Sequence, residues 1–145
     1  MKDRFFLDTN IIIYSFDVTD RDKAQRAKQL ISEALNSKNG CIGTQAIQEF
    51  LNVATRKFER PLSIQDCRIY LQKVLFPLCE VYPDSDLYEL GLDIQSETGY
   101  SFYDSMIIAA AKKANCSIIY SEDLQDGHRI QRVKIVNPFK SRSPS

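Results

Sequence analysis

Residues 4–10 read Arg4-Phe5-Phe6-Leu7-Asp8-Thr9-Asn10, an unbroken apolar triplet that ends on a carboxylate. A strand with one wet face alternates apolar and polar residues, whereas a continuous apolar run belongs to a strand covered on both faces, as in a parallel sheet between helices. A carboxylate that closes such a strand loses solvation unless a partner meets it. Asp8 is therefore the first candidate site residue.

Outward from that strand, helical and extended patterns alternate. Asn10 to Phe16 predicts a short helix, and Asp20 to Lys38 a longer one that gathers Ala24, Ala27, Leu30, Ile31, Ala34 and Leu35 on one face and is closed by Gly40. Cys41–Gly43 reads as a minimal second strand, after which Thr44 caps a helix to about Lys57 with Ala46, Ile47, Phe50, Leu51 and Ala54 as its apolar stripe. Past the break at Pro61, Ser63 and Asp66 open a helix through Val74, and Leu78–Tyr82 forms a third strand. Ser85–Thr98 is helical with Gly99 at its stop, and Ser101–Ala114 is a helix apolar almost all round. Ser117–Ser121 is a fourth strand, Asp123–Gly127 a turn, and Val133–Val136 a fifth strand before Asn137-Pro138-Phe139. This order predicts an α/β fold: a central, mainly parallel sheet of about five strands with helices on both faces. One domain is expected over 1–139, with a frayed tail at 140–145.

Composition narrows the chemistry. The chain has 145 residues, 43% hydrophobic and 26% charged, enough for one core without staples. Nineteen Lys and Arg balance nineteen Asp and Glu, but residues 127–145 hold five cations and no acid, which leaves residues 1–126 with a net charge of −5. Cys41, Cys67, Cys79 and Cys116 form no CxxC pair, and His128 is the only histidine, so a zinc site, a thioredoxin motif and a Ser-His-Asp triad are all disfavoured. No apolar stretch approaches a membrane span, and a cytoplasmic chain with reduced thiols is expected.

In sheets of this kind, reactive groups gather beyond the carboxyl ends of the strands. Asp8 ends the first strand, Glu49 lies one turn into the helix after the second, Asp104 lies in the first turn of its helix, and Asp123 follows the fourth strand. All four face one edge, with Asn10 and Ser121 close by as neutral oxygens. An all-oxygen cluster without imidazole or thiolate is what Mg²⁺ or Mn²⁺ requires. Crowded carboxylates repel one another until cations neutralise them, so the arrangement points to metal-assisted phosphodiester hydrolysis.

Each acid also has a plainer reading. Asp104, three residues after Ser101, fits a capping box; Asp123 fits the start of a turn; Glu49 fits a solvated helix position. Arg21, Lys23, Arg26 and Lys28, with Arg56, Lys57 and Arg60, form either a phosphate-attracting rim or solvated helix faces. Tyr100, Phe102 and Tyr103 either stack on unpaired bases or pack the start of a helix, and packing is the commoner role.

Four stretches together resemble the PIN-domain ribonucleases, in particular the toxin subunits of VapBC toxin–antitoxin systems. They are Phe6-Leu7-Asp8-Thr9-Asn10 with Tyr14, Thr44 to Phe50, Ser101 to Ser105 with the Ile/Ala run that follows, and Tyr120-Ser121-Glu122-Asp123-Leu124 with Gly127. Asn137-Pro138-Phe139 resembles one bacterial branch. The resemblance implies a three-layer α/β/α PIN-like fold, dependence on Mg²⁺ with Mn²⁺ as a substitute, and endonucleolytic cleavage of RNA, often tRNA or rRNA. It also implies a homodimer inhibited by a small antitoxin protein. Asp8 and Asp104 match the principal metal ligands, Glu49 and Asp123 the remaining catalytic acids, and Asn10 a supporting polar position, while Asp126 matches nothing strongly enough to carry a role. A phosphohydrolase with Asp8 as nucleophile would want a second Asp where Asn10 stands, and an RNA-binding module without activity would not need the intact acid set; an RNA-processing nuclease of the same family outside any toxin–antitoxin system is the remaining alternative.

Overall fold

A computed structural model describes residues 3–140. Along the chain, β1 (Phe5–Leu7), α1 (Thr9–Tyr14), α2 (Arg21–Ser37), β2 (Gly40–Gly43) and α3 (Thr44–Arg56) come first. They are followed by α4 (Ile64–Tyr70), a π-helical turn (Leu71–Leu75), α5 (Phe76–Leu78), β3 (Cys79–Val81), α6 (Ser85–Thr98) and α7 (Phe102–Lys113). The last elements are β4 (Ile118–Tyr120), β5 (Arg129–Ile130) and β6 (Val133–Val136).

The apolar triplet is buried because β1 lies inside the sheet, whose order is β3-β2-β1-β4-β6-β5. Register divides its side chains between two cores. Phe6 pairs with Cys41 and Ile119, and these face Leu87, Ile94 and Ile108 of α6 and α7. Phe5 and Leu7 point the other way, into a core shared with Ile11, Leu30, Ile42 and Phe50 from α1, α2, β2 and α3. The period of two along a strand thus builds a three-layer α/β/α arrangement from three consecutive apolar residues.

The sheet has six strands rather than about five. The extra one, β5, is two residues long and pairs antiparallel with β6, while all other neighbours are parallel. A hairpin edge this short carries no alternation from which to read it. Other boundaries also move. Thr44 is the first residue of α3, whose cap position is Gly43 without a side-chain bond. Helix α2 stops with Lys38 in the left-handed region at φ 62°, and Gly40 belongs to β2. There a Cβ would fall 2.5 Å from that of Ala34 and inside the edge of the Phe5 ring. Gly40→Ala is accordingly expected to lower unfolding free energy by about 2–3 kcal/mol through overpacking between α2 and β1, measured by urea denaturation; a midpoint equal to the parent's would refute the close packing.

From β1 the chain builds outward through β2 to β3, then crosses to β4 on the other flank of β1. The connections leaving β1 and β4 therefore diverge at their carboxyl ends and open a crevice between them. No helix among the described residues is long and apolar enough to cross a membrane. The tail expected at 140–145 lies, apart from Lys140, outside the described residues.

Candidate active site

Asp8 leaves β1 in an extended conformation (φ −71°, ψ 157°) and becomes the N-cap of α1. One carboxylate oxygen accepts the Thr9 N–H at 2.7 Å, and the other accepts the Ser121 hydroxyl at 2.7 Å. With only 6% of its surface exposed, Asp8 is pushed up to about 6 by burial; its two hydrogen bonds oppose that shift, and the Asp123 and Glu49 charges add to it.

Ser121 is fully buried, and its hydroxyl has no capacity left. While donating to Asp8, its oxygen accepts the N–H groups of Asp123 and Leu124, each at 3.2 Å. It links Asp8 to the turn that carries Asp123. Asn10 is its opposite: 8% exposed, with neither side-chain oxygen nor nitrogen bonded to any partner. A buried carboxamide without partners is costly in a finished protein.

Asp104 sits in the first turn of α7, where its N–H donates to the Ser101 hydroxyl at 3.1 Å. The return bond of a capping box, from the Ser101 N–H to the Asp104 carboxylate, is not made among the described residues, which leaves that carboxylate uncommitted. Glu49 is exposed on α3 and accepts from Gln45, one turn earlier, at 2.9 Å. Asp123 is exposed on its turn. Asp8, Asn10, Glu49, Asp104 and Asp123 all line one cleft of about 230 Å³, with Gln45 and Tyr103 on its walls.

The acids are spaced rather than clustered: among the described residues, no three acids, histidines or cysteines stand close enough to hold one ion together. The donors still suit a hard dication. They are all oxygen, one is a buried carboxylate, and the orphaned Asn10 amide opens on the same cleft. Mg²⁺ keeps several waters and takes one or two carboxylates directly, a demand that spaced acids meet.

The aromatic residues divide by role. Phe102 packs on the core and stacks with Tyr88 at an interplanar angle of 5°. Tyr100 bonds to His128, which stands outside the cleft. Tyr103 is 70% exposed at the cleft wall, where an apolar groove of about 190 Å³ continues past Val81 and Met106. Gln45 escaped sequence reasoning, although its spacing of four from Glu49 was a usable signal. Asp126 faces Asn137 and Lys140 rather than the cleft.

The family model of the PIN domain matches residues 5–133, and the chain belongs to the PIN domain family. A search of curated proteins gives no match. Among solved structures, the chain is similar to a toxin–antitoxin complex from Klebsiella pneumoniae, at 18% identity over 94% of this chain and 98% of that one, with a TM-score of 0.66. It is similar to DNA-bound VapBC from Salmonella typhimurium, at 19% identity over 92% and 97% with a TM-score of 0.64. It also resembles VapC20 of Mycobacterium tuberculosis, described as a Sarcin-Ricin loop cleaving toxin, at 20% identity over 82% and 89% with a TM-score of 0.59. At these identities the likeness is one of fold.

Proposed function

We propose that the chain is a Mg²⁺- or Mn²⁺-dependent endoribonuclease and the toxin of a type II toxin–antitoxin pair. It acts in the cytoplasm as a homodimer that a cognate antitoxin restrains. The observation that carries this reading is the cleft itself: Asp8, Glu49, Asp104 and Asp123, far apart in sequence, share it with a buried amide that has no partner. Membership of the PIN domain family and similarity to toxin–antitoxin complexes support the same reading.

Asp8 and Asp104 would hold the ion, with Glu49 and Asp123 joining through water and Asn10 supplying a neutral donor. A bound ion would supply an activated water nucleophile and charge stabilisation for the leaving oxygen. The chain's own residues do the arranging. The Ser121 hydroxyl and the Thr9 N–H fix both oxygens of Asp8, so that carboxylate is oriented before substrate arrives. Gln45 orients Glu49, whose exposed carboxylate is free to order a water or take up its proton. Tyr103 stands where a nucleotide beside the scissile phosphate would pass.

A mixed RNA pool incubated with purified protein tests this. Cleavage is expected with Mg²⁺ or Mn²⁺, is expected to stop in excess EDTA, and is expected to return when either ion is restored. Undiminished cutting in EDTA would sink the metal mechanism, and RNA binding without cleavage in either ion would reveal an inert module.

A further inference from the structure

Three stretches singled out in the sequence meet at a residue the acid cleft does not contain. Tyr14 ends α1, Glu122 lies between Ser121 and Asp123, and Phe139 follows Asn137-Pro138. All three surround the Lys23 ammonium of α2. Lys23 Nζ lies 2.7 Å from one Glu122 carboxylate oxygen and 3.0 Å from the other. The Tyr14 hydroxyl donates to that same carboxylate at 2.5 Å. The ammonium also sits 3.8 Å from the centre of the Tyr14 ring and 5.2 Å from that of Phe139, and those two rings meet edge to face at 5.3 Å.

An exposed lysine–glutamate pair contributes little, because water competes for both charges and two flexible side chains must be fixed. This pair differs. Two aromatic faces shield the ammonium, and a phenol takes up part of the carboxylate's remaining hydrogen-bonding capacity. The far end of the same loop has its own anchor: Asp126 accepts the Asn137 N–H at 2.7 Å and pairs with Lys140 at 3.2 Å. The Asn137 side chain in turn accepts the Phe139 N–H at 2.9 Å. The C-terminal segment, α1 and α2 therefore grip one loop, 121–127, at two points.

Glu122 is one residue from Ser121, which bonds Asp8, and one from Asp123, which lines the cleft. Anchoring its side chain fixes the backbone on both sides. We propose that Lys23 is a positioning residue for the nuclease centre: through Glu122 it holds the Ser121–Leu124 turn, and with it the Asp123 carboxylate, in register with Asp8. The inference rests on the proposed function for the identity of the centre it serves. Lys23 has its charge committed to Glu122, so the phosphate-rim role weighed for the basic face of α2 does not fall to it.

Lys23→Met keeps most of the side-chain length and removes the charge. In the metal-free variant, the Asp123 and Leu124 amides, which donate to Ser121, are expected to exchange with deuterium about 10-fold faster, while core amides of β1 and β4 keep the parent rate. Mn²⁺ affinity by calorimetry is expected to weaken about 10-fold, and kcat for RNA cleavage to fall about as much with KM within twofold. Glu122→Gln keeps a hydrogen-bonding group but loses the ion pair, and is expected to move every readout the same way; the double variant should be no worse than the worse single one. Unchanged exchange at Asp123 and Leu124 in both single variants would overturn the proposal. So would a rise in KM with kcat intact, which would make Lys23 an RNA contact. The exchange measurement needs neither metal nor RNA, so it decides the positioning role even if the parent chain fails to cut.

Discussion

Asp8→Asn is expected to reduce RNA cleavage by about 10²- to 10³-fold, the several kcal/mol that a displaced metal ligand costs in the transition state, while the protein stays folded. The stability arithmetic explains the second half. Burial raises the Asp8 carboxyl to about 6 in the native chain, against 3.8 in its absence, so the unfolded chain gives up this proton more readily. Asp8's contribution to the stability of the metal-free native state is then greatest below pH 4 and falls by about 3 kcal/mol as pH climbs through 6, after which that contribution is constant. The neutral carboxamide of the variant would carry no such penalty at pH 7. It would, however, present one nitrogen donor and one oxygen acceptor to two donors, the Thr9 N–H and the Ser121 hydroxyl, and so forfeits one bond at about 1–3 kcal/mol. Gain and loss are of one size, so melting temperatures at pH 7 should differ by only a few degrees, while the fall in stability that Asp8 contributes between pH 4 and 6 should be absent from the variant. Metal-free denaturation across that window, together with single-turnover cleavage, checks both parts. A variant that cuts RNA at the parent rate would falsify the assignment of Asp8.

Phe50→Ala is expected to be the most damaging single truncation in the core, at about 4 kcal/mol and more than about 10 °C in melting temperature. Phe50 is fully buried beside Glu49 on α3, and its ring centroid lies 5.0 Å from that of Tyr70, 5.3 Å from Phe16 and 6.0 Å from Phe58. Removing it empties the centre of an aromatic cluster that gathers side chains around α3 and α4, and three remaining rings cannot collapse onto one methyl. Phe50→Leu, which keeps most of the volume, should cost roughly 1.5 kcal/mol. Thermal melts of both variants decide the matter; a Phe50→Ala protein melting within a few degrees of the parent would mean that the cluster closes over the gap.

The parts legible in the sequence were those with local periodicity or a boundary residue. The apolar triplet before Asp8 implied a doubly covered strand, the spacing of Ala and Leu in α2 implied its buried face, and Gly99 marked the end of α6 in the left-handed conformation at φ 75°. That the four acids line one cleft was legible, because parallel strands bring their carboxyl ends to one edge, whereas the crowding expected of them was not met. What was not legible depends on contacts between distant segments. Gly40 reads as a helix stop until Phe5 and Ala34 close on it. Ser121 reads as a spare oxygen until Asp8, Asp123 and Leu124 each claim its hydroxyl. Glu122 and Lys23 are ordinary charged residues until the fold sets them together across 99 positions. No local pattern encodes such pairings.

The hydrogen bond from Ser121 to Asp8 joins residues 113 positions apart, and the Ser121 N–H is itself held by the Val136 carbonyl at 3.0 Å. A ribosome making this chain releases Asp8 early, yet the hydroxyl that orients it is added more than a hundred peptide bonds later, and the strand that steadies that hydroxyl later still. Throughout synthesis the emerging polypeptide carries the first acid without its counterpart. The arrangement around Asp8 is thus a property of a chain extended past residue 136, and the emerging polypeptide holds no such arrangement until the sheet has closed.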